Sequence, residues 1–420
     1  MYEKSVLENG LRVLTSALPH TQAVSVTIFV GAGSRYESDE IAGVSHFLEH
    51  MLFKGTERRR NPRELAEAIE GIGGAMNAAT DKELTAYWAK VPAAHFDVAL
   101  DVLLDQLLHS RIDPVELERE RKVVIEELAM VEDNPGELVG LLLDELMWPE
   151  QPLGRDIAGS PKSVEGISRE TMVDYLASHY VPENTVISVA GNLSHETVVS
   201  ELFEQVESWE PAPFGPWSPA RDGQTEPRVG LRSKRTEQTQ IALGFPAYSA
   251  FHPDRYALDV MNTILGEGMS SRLFLEIREI RGLAYDVHSS VGHYLDTGAF
   301  VVGAAVDPRK TDECIRAIRG ELDQLRSNLV PSEELTKAKE YIKGRLVLRM
   351  EDSRAVSSWI GGQELLRREV RLVDDVLQSI EAVTAADVRR VAQEIVRNER
   401  ANLAIVGPYR SRDRFRRLLD

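Results

Sequence analysis

The sequence predicts an α+β protein built from two homologous, duplicated domains, each a mainly antiparallel sheet with helices packed on one face. Three observations predict it. Strand and helix signals come in blocks rather than in strict alternation, as expected of helices layered on an antiparallel sheet. A proline-rich break interrupts the chain near its middle, and beyond it the order of signals starts again. With 420 residues, at about 150 per domain, the chain accommodates two or three globular domains.

The elements follow in order. In residues 23–30, Val24, Val26, Ile28 and Val30 point one way while Ala23, Ser25, Thr27 and Phe29 point the other, the period-2 pattern of a strand. Over residues 62–113 the spacing becomes helical, and Asp113-Pro114 supplies an N-cap and first turn for a charged helix running to about Glu132. Val186 to Ala190, closed by Gly191-Asn192, reads as a second strand. Residues 211–227 hold five prolines and two glycines, a composition that continues neither helix nor central strand. This is taken as a linker between domains 1–210 and 228–420. Past it, residues 240–245 echo the first strand, residues 331–335 open another charged helix, and residues 402–407 mirror the Val186 strand. The offset is roughly 215 positions, a reasonable domain length.

Composition narrows the function. The chain carries 67 acidic and 49 basic side chains for a formal charge of −18, which argues against nucleic acid or an anionic membrane as the main partner. No apolar stretch has the length of a signal peptide or a membrane span, so the expectation is no membrane and a cytoplasmic location. Cys314 is the one cysteine. It can form neither an internal disulfide nor a thiolate cluster, so any metal must use histidine and carboxylate ligands.

One segment supplies such ligands. In Val44-Ser45-His46-Phe47-Leu48-Glu49-His50-Met51-Leu52 the two histidines lie one helical turn apart and project from the same face, able to grip one divalent ion. Zinc is the first-row metal that takes such nitrogens without redox chemistry. A catalytic zinc needs a third protein ligand and an open position for water, and Glu49 stands beside the pair, placed to take a proton from that water. Alternatively, the helix is merely amphipathic and its histidines pack or cap. Against this, Val44, Phe47, Leu48, Met51 and Leu52 bury the opposite face and leave Glu49 costly unless a metal site uses it. The His-x-x-Glu-His order is that of the inverted zinc-peptidase motif.

The run from His46 through Met51-Leu52-Phe53-Lys54-Gly55 to Thr56 resembles the signature of the pitrilysin/insulinase family of zinc metallopeptidases, in its short two-domain branch of bacterial and mitochondrial-processing-peptidase-like enzymes. The resemblance implies one zinc ion per chain, held by His46, His50 and a glutamate on a downstream helix. In the segment from Glu118 to Leu128, which resembles the family's, that ligand is Glu127, and Glu120 is a carboxylate that orients a ligand or the water. Glu120 and Glu127, seven apart, share a helix face; the neighbouring Glu126 is the rival for the ligand position.

Residues 73–80 and 84–89 resemble the family's active-site edge strand, on which Asn77 would hold a substrate backbone added to the sheet. Residues 278–285 resemble an element of the family's second domain: Tyr285 would donate to the oxyanion and Arg278 would hold a substrate carbonyl, with Arg281 the weaker candidate. The catalytic set is then Glu49, Glu120 and Tyr285. Residues 266–274 match a shortened glycine-rich loop, with Ser270 as a cap. The second half lacks the histidine motif and the paired glutamates, so it should bind no zinc.

The resulting expectation is a zinc-dependent endopeptidase acting on peptides or extended unfolded segments. The alternative is a noncatalytic scaffold or assembly subunit of a processing-peptidase-like complex. A chain with half the domains of the long family members implies a homodimer, or a heterodimer with a zinc-free homologue, with substrate held between the halves.

Overall fold

The computed structural model describes residues 2–419. Eleven strands are found among them: β1 (Glu3–Val6), β2 (Arg12–Ala17), β3 (Ala23–Val30), β4 (Ala75–Thr80), β5 (Thr85–Pro92), β6 (Thr185–Gly191), β7 (Arg228–Ser233), β8 (Thr239–Ala247), β9 (Ala284–His293), β10 (Gly298–Val306) and β11 (Asn402–Gly407). They form two sheets, of order β1-β2-β6-β3-β5-β4 and β7-β11-β8-β10-β9. In each sheet a single neighbouring pair is parallel, β2 with β6 and β7 with β11, and the other pairs are antiparallel. That shared topology is the duplication anticipated from the repeated signals.

The chain divides into two compact units, and they are not the linear segments 1–210 and 228–420. The first takes the chain up to Leu128, then Asp156–Ser218 and Val347–Leu372; the second takes Ala129–Arg155, Pro219–Leu346 and the chain from Val373 onward. Each sequence half therefore lends one helix to the other unit's sheet. The linker reading of residues 211–227 marks a change of composition, whereas compactness follows which apolar faces meet.

In the first unit, one sheet face carries Val13, Val24, Val26, Ile28 and Val189, packed against α1 (Val44–Leu52), α2 (Pro62–Glu70) and α3 (Phe96–His109) through side chains such as Phe47, Leu48, Ile69 and Leu103. The opposite face is covered as well, which corrects the expectation of helices on one face. There Leu14, Phe29 and Val186 meet Ile360 and Leu365 of the helix Ser353–Arg367. The small polar residues of that face are satisfied by serines of the helix: Ser25 pairs with Ser353 at 2.9 Å, and the Ser357 hydroxyl donates to Thr27 at 2.8 Å. Gly361 makes the close approach, since a Cβ there would lie 2.5 Å from the Phe29 ring.

The helical spacing over residues 62–113 is broken by the hairpin of β4 and β5, where Ala75 to Thr80 pair with Lys90 to Thr85. Two further helices matter to the site: α4 (Pro114–Asp133) and α5 (Pro135–Met147). In the second unit α5 places Leu138, Leu142 and Met147 against Ala242, Ala404 and Val406 of the sheet. Ser270 caps no helix; the Ser271 hydroxyl instead donates to the Gly268 carbonyl.

Candidate metal centre

Helix α1 presents its chemistry by excluding everything else from one face. Val44, Phe47, Leu48, Met51 and Leu52 are fully buried, which turns His46, Glu49 and His50 to the opposite side. Its N-terminus is fixed from outside the helix. Gly43 sits at φ 95°, and a Cβ there would lie 2.4 Å from the Ala158 carbonyl oxygen, so glycine is required. The buried Glu37 carboxylate accepts the backbone N–H groups of Gly43 at 2.7 Å and Ser45 at 2.8 Å, which satisfies helix-end donors and complements the helix dipole.

Helix α4 approaches with a stripe at helical spacing, Leu117, Glu120, Val124 and Glu127, of which the first three are buried. Glu127 Oε2 lies 3.5 Å from His50 Nε2 and 3.9 Å from His46 Nε2. All three ligand atoms fall within 4.8 Å of one another, and no other such cluster of three occurs among the described residues. Tetrahedral zinc with bonds of about 2.1 Å spaces its ligands by roughly 3.4 Å, so the donor set fits with small adjustments. Glu126, the rival in the sequence, is exposed and outside the cluster.

Around the cluster, Glu120 is held by Lys54 at 2.6 Å and lies 3.2 Å from His50 Nδ1. A carboxylate beside an ammonium accepts, so Nδ1 donates to Glu120 and Nε2 is the ring nitrogen turned toward Glu127. Burial, with the neighbouring His50 ring, pushes the His46 imidazole pKa down to about 4, which keeps it neutral as a ligand must be. Glu49 is not one of the three clustered donors. Burial raises its pKa, and the hydrogen bond from Thr80, the strongest opposing influence, lowers it.

Thr80 is the residue that sequence reasoning passed over. It closes β4, and its hydroxyl donates to Glu49 Oε2 at 2.5 Å. Strand β4 is an edge, bonded to β5 alone. Asn77 is exposed on it, with its side-chain oxygen accepting the Ala78 N–H at 2.9 Å. Arg278 and Tyr285 belong to the second unit and meet each other: the Arg278 guanidinium lies 4.6 Å from the Tyr285 ring centre and donates to the Tyr285 carbonyl at 2.9 Å. Tyr285 is 74% exposed. Arg281 is engaged by Glu276 at 2.7 Å.

Residues 12–161 match the family model described as insulinase, peptidase family M16, and residues 166–342 match the model described as the peptidase M16 inactive domain. An uncharacterized zinc protease YmxG of Bacillus subtilis is 36% identical, the alignment covering 97% of this chain and 98% of the relative. The chain belongs to the insulinase family of peptidases, M16. A Streptomyces coelicolor relative, also named an uncharacterized zinc protease, is 36% identical over 98% of this chain and 91% of its own length. Among solved structures, a protease from Helicobacter pylori superposes with a TM-score of 0.92 at 23% identity, covering 97% of this M16 chain and all of that one. A chain of complex III from Candida albicans gives 0.82 at 20% identity, covering 99% of each. Both share the two-domain M16 fold. No helix among the described residues is long and apolar enough to cross a membrane.

Proposed function

We propose that the chain is a zinc-dependent endopeptidase that hydrolyses peptides or extended, unfolded segments. One observation carries the reading: a His46, His50, Glu127 cluster of metal-ligand spacing with Glu49 on the same helix face and outside the ligand set. When bound, zinc supplies a Lewis acid that polarises the scissile carbonyl and makes water more acidic. Glu49 takes a proton from the attacking water and returns it to the leaving amine. Glu120, held by Lys54, fixes the ring of His50. An extended peptide adds to the free edge of β4, with Asn77 holding its backbone. On family resemblance, Tyr285 donates to the oxyanion and Arg278 holds a substrate carbonyl.

The assembly proposed with this activity is a homodimer in the cytoplasm, where a lone buried cysteine suits a reducing medium. Light scattering at several concentrations tests it; a fully active strict monomer contradicts it.

Cleavage of a quenched fluorescent peptide library tests the activity. The expected result is turnover that a chelator abolishes and added zinc restores. A purified chain that holds no zinc and cleaves nothing would favour the scaffold reading instead.

Thr80 yields a sharper expectation. The Thr80 hydroxyl donates to Glu49 Oε2 and so orients the carboxylate that takes the proton. Thr80→Val should lower kcat by about tenfold, the equivalent of a hydrogen bond to a charged group, with zinc content and KM unchanged, and Thr80→Ser should restore it. Equal kcat in Thr80→Val and wild type would remove Thr80 from the mechanism.

A further inference from the structure

At the end of β4 remote from Thr80 lies a groove of about 860 Å³, lined by Gly74, Ala75, Trp88, Lys90, Asp352 and Arg354 among others. Its charges are unevenly compensated. Lys90 and Asp352 form an ion pair at 2.5 Å. The Arg354 guanidinium stacks 3.7 Å from the centre of the Trp88 ring and makes no hydrogen bond or ion pair among the described residues. Stacking holds the planar cation in place through its face and leaves its N–H fork open at the rim, the form in which arginine receives a carboxylate.

The groove continues the line of the edge strand. From Thr80, where Glu49 is bound, to Ala75, where the groove begins, β4 runs five residues further, about 16 Å at the rise of a strand. Trp88 stands opposite Asn77 in the β4–β5 register. A chain added to β4 with its scissile bond beside Glu49 thus carries the residues about three to five positions away, level with Asn77 to Ala75, into reach of Arg354.

We propose that this groove is a distal peptide subsite in which Arg354, stacked on Trp88, binds a carboxylate of the substrate about three to five residues from the scissile bond. The inference deepens the endopeptidase reading, because it takes the occupant of β4 to be a peptide. It gives a chain of net charge −18 one place that prefers an acidic residue.

The test uses the full-length Glu49→Gln chain, which reports binding without turnover. Fluorescein-labelled, C-terminally amidated peptides carry a single Glu moved stepwise through a Gln background, and their affinities are read by anisotropy. The expected result is one register, about three to five residues from the bond that wild-type chain cuts in the all-Gln peptide, where Glu binds roughly 3–10-fold tighter than Gln. The preference fades with salt and is absent when Arg354→Gln is added. A free-acid peptide ending at the same register shows whether a chain terminus serves as the carboxylate. Equal affinity of Glu and Gln peptides at every register, no peptide binding, or a Glu preference that survives Arg354→Gln would overturn the subsite. Glu preference lost with Arg354→Gln, but with no cleavage by wild-type chain, would uphold the subsite and sink the endopeptidase reading.

Discussion

A Glu49→Gln chain is expected to retain zinc at the wild-type level and to cleave peptides at least about 100-fold more slowly, the lower end of what a positioned general base contributes. The expectation follows from the division of labour on α1. His46 and His50 converge on Glu127, while Glu49, one residue before His50, is bound by Thr80 and stands outside the donor cluster. Glutamine keeps the shape of the side chain and can still accept from the Thr80 hydroxyl, but it cannot take a proton. The measurement is kcat on a quenched peptide beside zinc content by mass spectrometry. Retained zinc with full, chelator-sensitive turnover would show that another group is the base; lost zinc would place Glu49 among the ligands.

Glu127→Gln should lower zinc affinity by more than about 100-fold, beyond the 10–100-fold typical of partners that only orient a ligand. The neighbouring positions grade the effect. Glu120→Gln disturbs the orientation of His50 and should fall within that 10–100-fold range, while Glu126→Gln, altering an exposed side chain outside the cluster, should leave affinity as it is. Competition titration with a zinc-binding dye reads all three. A large loss in Glu126→Gln together with a small one in Glu127→Gln would mean that α4 offers the other carboxylate.

What the sequence revealed and what it concealed divide along the range of the interactions. The metal helix was legible because His46, Glu49 and His50 lie within five residues and its buried face has an equally local pattern. The pairing of Glu120 with Glu127 was legible for the same reason. Thr80, by contrast, meets Glu49 across 31 positions, and nothing in a short strand of small residues marks its last hydroxyl as a partner of the base. Glu37 also escaped notice. It lies outside the helix it caps, so the usual sign of a Ser, Thr, Asp or Asn at the cap is missing and Gly43 stands there instead.

The fold shows the same division. The alternation in β3 identified a strand, and the expectation of helices on one face left the side of Ser25 and Thr27 uncovered. That face is dry because serines of the helix Ser353–Arg367, over 300 positions away, satisfy those hydroxyls. Gly361, placed where the helix touches Phe29, was the available signal of close packing. The exchange of helices between the sequence halves was hidden for a related reason: proline content locates breaks in regular structure, but it carries no information about which sheet the neighbouring helices cover.

The site is tested most directly by anomalous diffraction across the zinc absorption edge on crystals of the zinc-loaded chain. The expected result is one peak per chain, about 2.0–2.2 Å from Nε2 of His46, Nε2 of His50 and a carboxylate oxygen of Glu127, with Glu49 outside bonding distance. A peak elsewhere, or one at these histidines with Glu127 turned away, would contradict it.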